Sequence, residues 1–168
     1  MIMMVRRWTP VDRTKERSQP ASYVRIRPRR CRMRFLVAWD GSDGAQAALR
    51  QAQTLAGPDG QIDLVQVLNP LTDAADVQAP STREAMVIVS ERARAEMGRQ
   101  APSGATQSVI LLEHGEDVPD RLLREAERLG TDIIVIASRR AAGLRGVLGS
   151  VTQQVLHDTT LPVLVVRA

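Results

Sequence analysis

The stretch that decides the fold lies near the end of the chain, where residues 132–166 read DIIVIASRRAAGLRGVLGSVTQQVLHDTTLPVLVV. Residues 133–136 are a β-branched run, too short for a helix and apolar on both faces, which is typical of a strand inside a parallel sheet. Residues 162–166 form a second apolar strand. Between them, a glycine-bearing loop leads into Ser150-x-x-Gln153, a pattern that predicts a capping box at the start of a helix. The unit is therefore strand, loop, helix, strand.

The predicted helix in this unit carries Val151, Val155 and Leu156 on one face, which we expect to be buried. The loop in front of it contains three glycines and three arginines. Unpaired backbone N–H groups and the positive end of the helix dipole point from a helix N-terminus toward the preceding loop. The start of this helix is therefore a candidate anion site.

Three further apolar runs precede this unit and predict strands at residues 34–39, 62–68 and 107–112. A helix is expected after each, and residues 69–80, with prolines near both ends, are predicted as a loop. Helical spacing marks these side chains for burial: Ala45, Ala48, Leu49, Ala52, Leu55 and Ala56 in the first helix, Met86, Val89, Ala93 and Met97 in the second, and Val118, Leu122, Ala126 and Leu129 in the third.

The order of the elements is β-α-β-α-β-α-β-α-β. Right-handed crossovers then predict one α/β domain, in which a five-stranded parallel sheet carries helices on both faces. Ligands in such sheets bind beyond the carboxyl ends of the strands, where the strand order reverses. Asp40 ends the first strand and Ala137 ends the fourth, so the loops after them would face one crevice if these strands are neighbours.

Composition excludes several functions. With 168 residues and 43% apolar residues, the chain is long enough for one domain with a proper core. Lys15 is its sole lysine, so the core has neither a Walker A phosphate loop nor a Schiff-base lysine. Cys31 is its sole cysteine, which excludes an intrachain disulfide and a thiolate metal cluster. No apolar run approaches the length of a membrane span, and we expect a cytoplasmic protein without membrane partners.

The net charge of +4 is unevenly distributed. Residues 1–33 carry ten basic and two acidic residues, whereas the other 135 residues carry thirteen basic and seventeen acidic ones. The core is therefore acidic and poor in aromatic residues, which does not favour nucleic-acid binding. For the basic segment three interpretations stay open: a disordered extension over residues 1–32, a translation start at Met33, or an Arg-rich transit peptide or binding arm.

Three segments of the chain resemble the universal stress protein family, and the match as a whole extends over residues 33–168. Residues 36–52 (LVAWDGSDGAQAALRQA) resemble its opening strand, terminal aspartate and alanine-rich helix. The run His114-Gly115-Glu116-Asp117, with LLREAERLGTDIIVIASR after it, resembles its third helix and fourth strand, and residues 148–167 (LGSVTQQVLHDTTLPVLVVR) resemble its closing helix and strand. The resemblance implies a Rossmann-like or flavodoxin-like domain over residues 33–168, strand order 3-2-1-4-5, and a homodimer through the last strand.

Many members of that family bind ATP, through a glycine, two residues, a second glycine, nine residues, and then Gly-Ser or Gly-Thr. Gly149-Ser150 matches the end of this motif, but Ala137 and Arg140 stand where the earlier glycines belong. Eight residues, one too few, separate Arg140 from Gly149. Arginine could grip a phosphate in place of the missing backbone donors, or it could obstruct a backbone that needs glycine.

The resemblance also implies which residues would form an adenine-nucleotide site. Asp40 would hold a ribose hydroxyl, or a Mg²⁺ ion that bridges phosphates, although a helix cap or an Asx turn explains it equally well. Val67 would contact adenine through its main chain. The complete set is Ala38, Asp40, Val67, Ile136, Ala137, Arg140, Gly149, Ser150, Val151 and Thr152.

These features lead to the hypothesis of a stress-response module with weak, Mg²⁺-dependent ATP binding. The alternative is a nucleotide-free homodimeric interaction protein on the same scaffold. An adenylating or pyrophosphatase-type enzyme is disfavoured, because the run Asp40-Gly41-Ser42-Asp43 lacks the Ser-Gly-Gly sequence of such enzymes. At most, slow ATP hydrolysis is expected.

Overall fold

The computed structural model describes residues 32–138 and 148–167; the basic segment up to residue 31, the loop over residues 139–147 and residue 168 lie outside the described part. The elements, in chain order, are β1 (Arg34–Ala38), α1 (Asp43–Ala56), β2 (Gln61–Leu68), α2 (Pro70–Asp73), α3 (Thr82–Gln100), β3 (Thr106–Leu111), α4 (Val118–Leu129), β4 (Ile133–Ser138), α5 (Ser150–Asp158) and β5 (Val163–Arg167).

All five strands run parallel in a single sheet of order β3-β2-β1-β4-β5, which confirms the predicted architecture and strand order. Val37 of β1 pairs with Leu64 of β2 on one side and with Val135 of β4 on the other. The chain leaves β1 toward β2 in its first half and toward β4 in its second half, so the strand order reverses between β1 and β4. A crevice is expected at that reversal, beyond the carboxyl ends of the strands.

The central strands β1, β2 and β4 bury aliphatic side chains on both faces, as their apolar runs predict. Phe35 packs on one face together with α1 and with Met97 of α3. Leu36, its neighbour in β1, packs on the other face with Leu122 of α4 and Val155 of α5. Burial of a side chain of this size contributes about 1.5–3 kcal/mol. Both faces of the sheet are therefore covered by helices at β1, which leaves the ends of the central strands open to a ligand.

One helix lies where the sequence predicted a loop. Within residues 69–80, Pro70–Asp73 form the short helix α2. Asn69 is its N-cap, because the Oδ1 atom of Asn69 accepts from the N–H of Leu71 at 3.0 Å. Proline at the first helical position lacks only an N–H that has no partner there. Prolines near both ends suggested a loop, but the Asn-Pro pair indicates a helix start.

The start of α5 also differs from the prediction. Ser150 is the first helical residue and not the N-cap; Gly149 holds the N-cap position and no side chain caps this helix. The predicted capping box is therefore wrong at this site. By contrast, the sequence Ser81-x-x-Glu84 follows the same pattern at the start of α3 and there the cap forms, since the Oγ atom of Ser81 accepts from the N–H of Glu84 at 3.2 Å.

Two leucines predicted to be buried are exposed. Leu55 is 57% exposed and Leu156 is 40% exposed. Leu55 lies in the last turn of α1, where the helix has reached the amino edge of the sheet. In the short α5, Thr152 and Val155 take the buried positions, and Leu156 lies about 100° further around the helix. None of the helices in the described ranges is long and apolar enough to cross a membrane.

Candidate functional site

A cavity of about 390 Å³ opens at the carboxyl edge of the sheet, over the point where the strand order reverses. Clefts that hold small ligands usually measure about 300–1,000 Å³. The walls come from the ends of β1, β2 and β4 and from the first turns of α2, α4 and α5. The lining residues are Ala38, Trp39, Asp40, Val65, Gln66, Val67, Leu68, Asn69, Thr72, Asp73, Val118, Leu122, Ile136, Ala137, Gly149, Ser150, Val151 and Thr152.

The fold gathers the residues that the sequence singled out. All of them except Arg140 line this cavity, although they come from four separate segments of the chain. Arg140 lies outside the described residues. The gathering follows from topology, because strands that run parallel place all their carboxyl ends at one edge.

Asp40 lies directly after β1 and faces solvent at the cavity rim. Its Oδ1 atom accepts from the N–H of Ser42 at 3.0 Å, which is an Asx turn. The cap of α1 is Ser42, whose Oγ atom accepts from the N–H of Ala45 at 3.2 Å. Asp40 therefore shapes the β1–α1 loop without being the helix cap, and its carboxylate stays at the rim of the cavity.

The loop after Asp40 turns through Gly41, which has φ of +76°. A side chain at this position would meet the carboxylate of Glu96 in α3, whose Oε1 and Oε2 atoms would lie 3.1 Å from the added Cβ. Glycine is favoured here by its backbone angle and by the close approach of α3. The helix α3 therefore lies directly behind the part of the rim that carries Asp40.

The first turn of α5 is the part of the cavity best suited to an anion. Its N-terminus lacks the side-chain cap that Ser42, Asn69, Ser81 and Asp117 provide for α1 to α4. The first intrahelical bond runs from Gln153 to the carbonyl of Gly149, so the three N–H groups before it have no partner within the helix. These belong to Ser150, Val151 and Thr152, which all line the cavity.

The main chain of β2 also faces the cavity. The N–H of Trp39 donates to the carbonyl of Val65 at 2.8 Å, whereas the carbonyl of Leu68 accepts from Leu112 beyond β3 at 2.9 Å. Successive residues of a strand direct their main-chain groups to opposite neighbours, so Val67, like Val65, faces the β1 side. Since β1 has ended there, no hydrogen bond within the described part of the chain occupies that side of Val67.

Sequence reasoning missed the wall that α2 provides. Asn69, Thr72 and Asp73 line the cavity, yet they lie in a segment predicted to be a loop. The Asn-Pro pair was the available signal.

The charged side chains among the described lining residues are both negative, Asp40 and Asp73. Within the described ranges, no group of three or more His, Cys, Asp or Glu is placed to hold a metal ion.

Two ion pairs with buried carboxylates lie at the opposite, amino edge of the sheet. Arg34 donates to Asp63 through Nε (2.6 Å) and Nη2 (3.0 Å), and this hydrogen bond raises the pKa of Arg34. Near them, Nε of Arg128 donates to Glu125 at 2.8 Å, which lowers the pKa of the Glu125 carboxyl. These pairs satisfy buried carboxylates, so we assign them to the stability of the amino edge and not to the cavity.

A five-stranded parallel sheet with a cavity at its order reversal defines an α/β protein of the doubly wound type. The chain belongs to the universal stress protein family, whose sequence model matches residues 32–167. No curated protein sequence matches the chain at a significant level.

Solved structures share this fold. The hypothetical protein MJ0577 aligns with a TM-score of 0.67 and 22% identity, over 80% of this chain and 95% of that chain. A universal stress protein from Archaeoglobus fulgidus aligns with a TM-score of 0.51 and 25% identity, over 80% of this chain and 98% of that chain. A universal stress protein in complex with cAMP aligns with a TM-score of 0.52 and 20% identity, over 79% of this chain and 95% of that chain.

Proposed function

We propose that this protein is a stress-response module that binds an adenine nucleotide, ATP with Mg²⁺, in the cavity at the carboxyl edge of the sheet. The observation that carries the proposal is the meeting of three groups in one cavity: the main chain of Val67, which has no hydrogen-bond partner among the described residues, the carboxylate of Asp40, and the N-terminus of α5, which has no side-chain cap. A related universal stress protein has been solved with cAMP, which also contains adenine, ribose and phosphate.

The base is assigned to the β2 side of the cavity. There the apolar side chains of Val65, Val118, Leu122 and Ile136 provide walls for a flat ring, together with Ala38. The N–H of Val67 would donate to adenine N1, and its carbonyl would accept from the 6-amino group. This pairing distinguishes adenine from bases that present donors and acceptors in a different order. It also leaves the side chain of Val67 in the apolar wall.

The phosphates are assigned to the α5 side. The N–H groups of Ser150 and Val151 and the helix dipole would stabilise their negative charge. Two strand spacings of about 4.8 Å separate β2 from β4, so the site spans about 10 Å from base to phosphate. Asp40, which follows the strand between them, lies at the level of the ribose, where it would accept from a hydroxyl or bind Mg²⁺ that bridges the phosphates.

Binding is expected to be weak. In the family's motif two glycines let the loop wrap the phosphates, and here Ala137 and Arg140 occupy those positions. With fewer backbone donors near the phosphates, we expect a Kd of about tens of micromolar or weaker for Mg-ATP. Arg140 can change this Kd in either direction. A charged hydrogen bond from arginine to a phosphate would strengthen binding by about 1.5–3 kcal/mol, whereas steric intrusion by the arginine side chain could weaken binding by as much.

The test is titration calorimetry with Mg-ATP on the wild type, Asp40→Ala and Arg140→Gly, with Asp43→Ala as the matched control. Asp43 is an exposed carboxylate three residues further on that does not line the cavity. We expect Asp40→Ala to weaken binding about tenfold or more, since a charged hydrogen bond is lost, and Asp43→Ala to leave it unchanged. Tighter binding by Arg140→Gly identifies the arginine as an obstruction, and weaker binding identifies it as a phosphate ligand.

A nanomolar Kd, or equal binding by Asp40→Ala and the wild type, contradicts the assigned site. Absence of binding favours the alternative, a nucleotide-free homodimeric interaction protein in the cytoplasm. The observation behind that alternative is the position of β5 at one edge of the sheet, where this apolar strand pairs, among the described residues, with β4 alone.

A further inference from the structure

Asp73 lies on the wall of the cavity that α2 provides. It is the last residue of α2, and it follows Thr72, which also lines the cavity. The helix is held at its start by Asn69 and Pro70. Asp73 is therefore presented on a short, capped element beside β2, next to the region assigned to the base.

One oxygen of Asp73 holds α2 in place, and the other has no such role. The Oδ2 atom accepts from the N–H of Asn69 at 2.6 Å. Within the described ranges the Oδ1 atom takes part in no hydrogen bond. A carboxylate can accept through both oxygens, so Asp73 retains acceptor capacity while its orientation is fixed by the bond to Asn69.

We propose that Asp73 is a specificity-determining residue, which selects purine nucleotides that carry an amino group at position 6. The proposal rests on the function proposed above. When the Watson–Crick edge of adenine pairs with Val67, one hydrogen of the 6-amino group meets the Val67 carbonyl. The second hydrogen remains for the Oδ1 atom of Asp73.

A 6-oxo purine offers an acceptor at this position. Its oxygen would face the negative charge of Asp73, and two acceptors without a hydrogen between them repel each other. A site that presents acceptors to a ligand's donor rejects the analogue that lacks the donor, because its polar groups are then left unpaired. Asp73 therefore adds a repulsive element against hypoxanthine and guanine to the main-chain pairing by Val67.

The substitution Asp73→Asn separates this role from a structural one. The side-chain carbonyl of asparagine can still accept from the N–H of Asn69, so α2 keeps its bond. The amide nitrogen then presents a donor where the carboxylate presented an acceptor. Asp76→Asn is the matched control, because Asp76 is an exposed aspartate three residues further on that does not line the cavity.

The experiment is calorimetry with Mg-ATP and Mg-ITP. ITP carries an oxo group in place of the 6-amino group and a hydrogen on N1, so the main chain of Val67 favours ATP in every variant, and the change in the ratio between variants reports Asp73. We expect the wild type and Asp76→Asn to prefer ATP over ITP. In Asp73→Asn, the affinity for ATP should fall while the affinity for ITP rises, so that the ratio of the two dissociation constants changes by about tenfold.

Parallel loss of ATP and ITP affinity in Asp73→Asn overturns the inference, since that pattern identifies Asp73 as a structural residue of α2. An unchanged ratio at unchanged affinity also overturns it. If the wild type binds neither nucleotide, the proposed function fails and this inference fails with it. An unchanged ratio in a protein that does bind ATP rejects the role of Asp73 alone.

Discussion

Thr152 links the start of α5 to the end of β4. Its Oγ1 atom donates to the carbonyl oxygen of Ala137 at 3.2 Å, and the residue is only 3% exposed. The resemblance places Thr152 among the residues of the nucleotide site, and in the structure its hydroxyl proton is directed to the main chain of β4. The N–H of Thr152 remains in the first turn of α5. The residue thus sets the position of the helix N-terminus relative to the strand.

We expect Thr152→Val to reduce the free energy of unfolding by about 1 kcal/mol, because the Ala137 carbonyl loses its donor. Mg-ATP binding should weaken as well, by about tenfold, since α5 is no longer fixed at the cavity. Thr152→Ser keeps the hydroxyl and is the control. Thermal unfolding and calorimetry measure the two effects; equal values for the valine and serine variants would contradict the role of the hydroxyl.

Gly41 and Gly98 are expected to respond oppositely to alanine. Gly41 has φ of +76° and lies against the carboxylate of Glu96, so Gly41→Ala should destabilise the fold by about 1–2 kcal/mol. Gly98 lies in α3, and an added Cβ would meet only Oε1 of Gln107 at 3.7 Å, an ordinary contact. Gly98→Ala should therefore stabilise by about 0.5–1 kcal/mol. Denaturant unfolding measures both, and a shift of the same sign in both variants would refute the argument.

Glu125 makes part of the stability depend on pH. The hydrogen bond from Arg128 lowers the pKa of Glu125 below its usual 4.5. A lowered carboxyl pKa stabilises the folded state above pH 4.5, and this contribution is lost as the pH falls through the lowered value. Because Arg128 is largely exposed, solvent screens the pair and its contribution to the free energy of unfolding is small.

We expect the Glu125→Gln variant to have a lower free energy of unfolding than the wild type at pH 7. This difference should disappear once the pH falls below the lowered pKa of Glu125. The measurement is urea unfolding at a series of pH values from pH 7 down to the pH at which Glu125 is protonated. Glu127→Gln, an exposed glutamate on the same helix, is the control and should follow the wild type. A constant difference at every pH would show that charge on Glu125 is not the cause.

The homodimer through β5 can be tested at a single backbone group. Pro162 directs its carbonyl to the N–H of Ile134 in β4 at 3.0 Å, so Val163 and Val165 direct their main-chain groups to the open edge. Val165→Pro removes one outward N–H and should shift the protein from dimer to monomer in sedimentation. Gln107→Pro removes an outward N–H at the opposite edge, on β3, and should leave the dimer intact. A wild type that is monomeric at high micromolar concentration would exclude this interface.

The sequence by itself determined the strands and most of the helices. Unbroken apolar runs such as residues 133–136 specify strands buried on both faces, and small side chains at helical spacing specify the inner face of α1. Helix and strand periods depend on residues close in sequence, so local patterns are sufficient. Where a residue is not covered by the rest of the fold, as at Leu55 and Leu156, the pattern overestimated burial.

The cavity was decided by the tertiary structure. Asp40 and Gly149 are separated by more than a hundred residues and line one cavity because the strand order reverses between β1 and β4. The exposed main chain of Val67 follows from the point at which β1 ends, and the contribution of Asp73 follows from α2, which the loop prediction omitted. Hydrogen-bond partners across strands and the capping state of α5 depend on neighbours distant in sequence, so no local pattern specifies them.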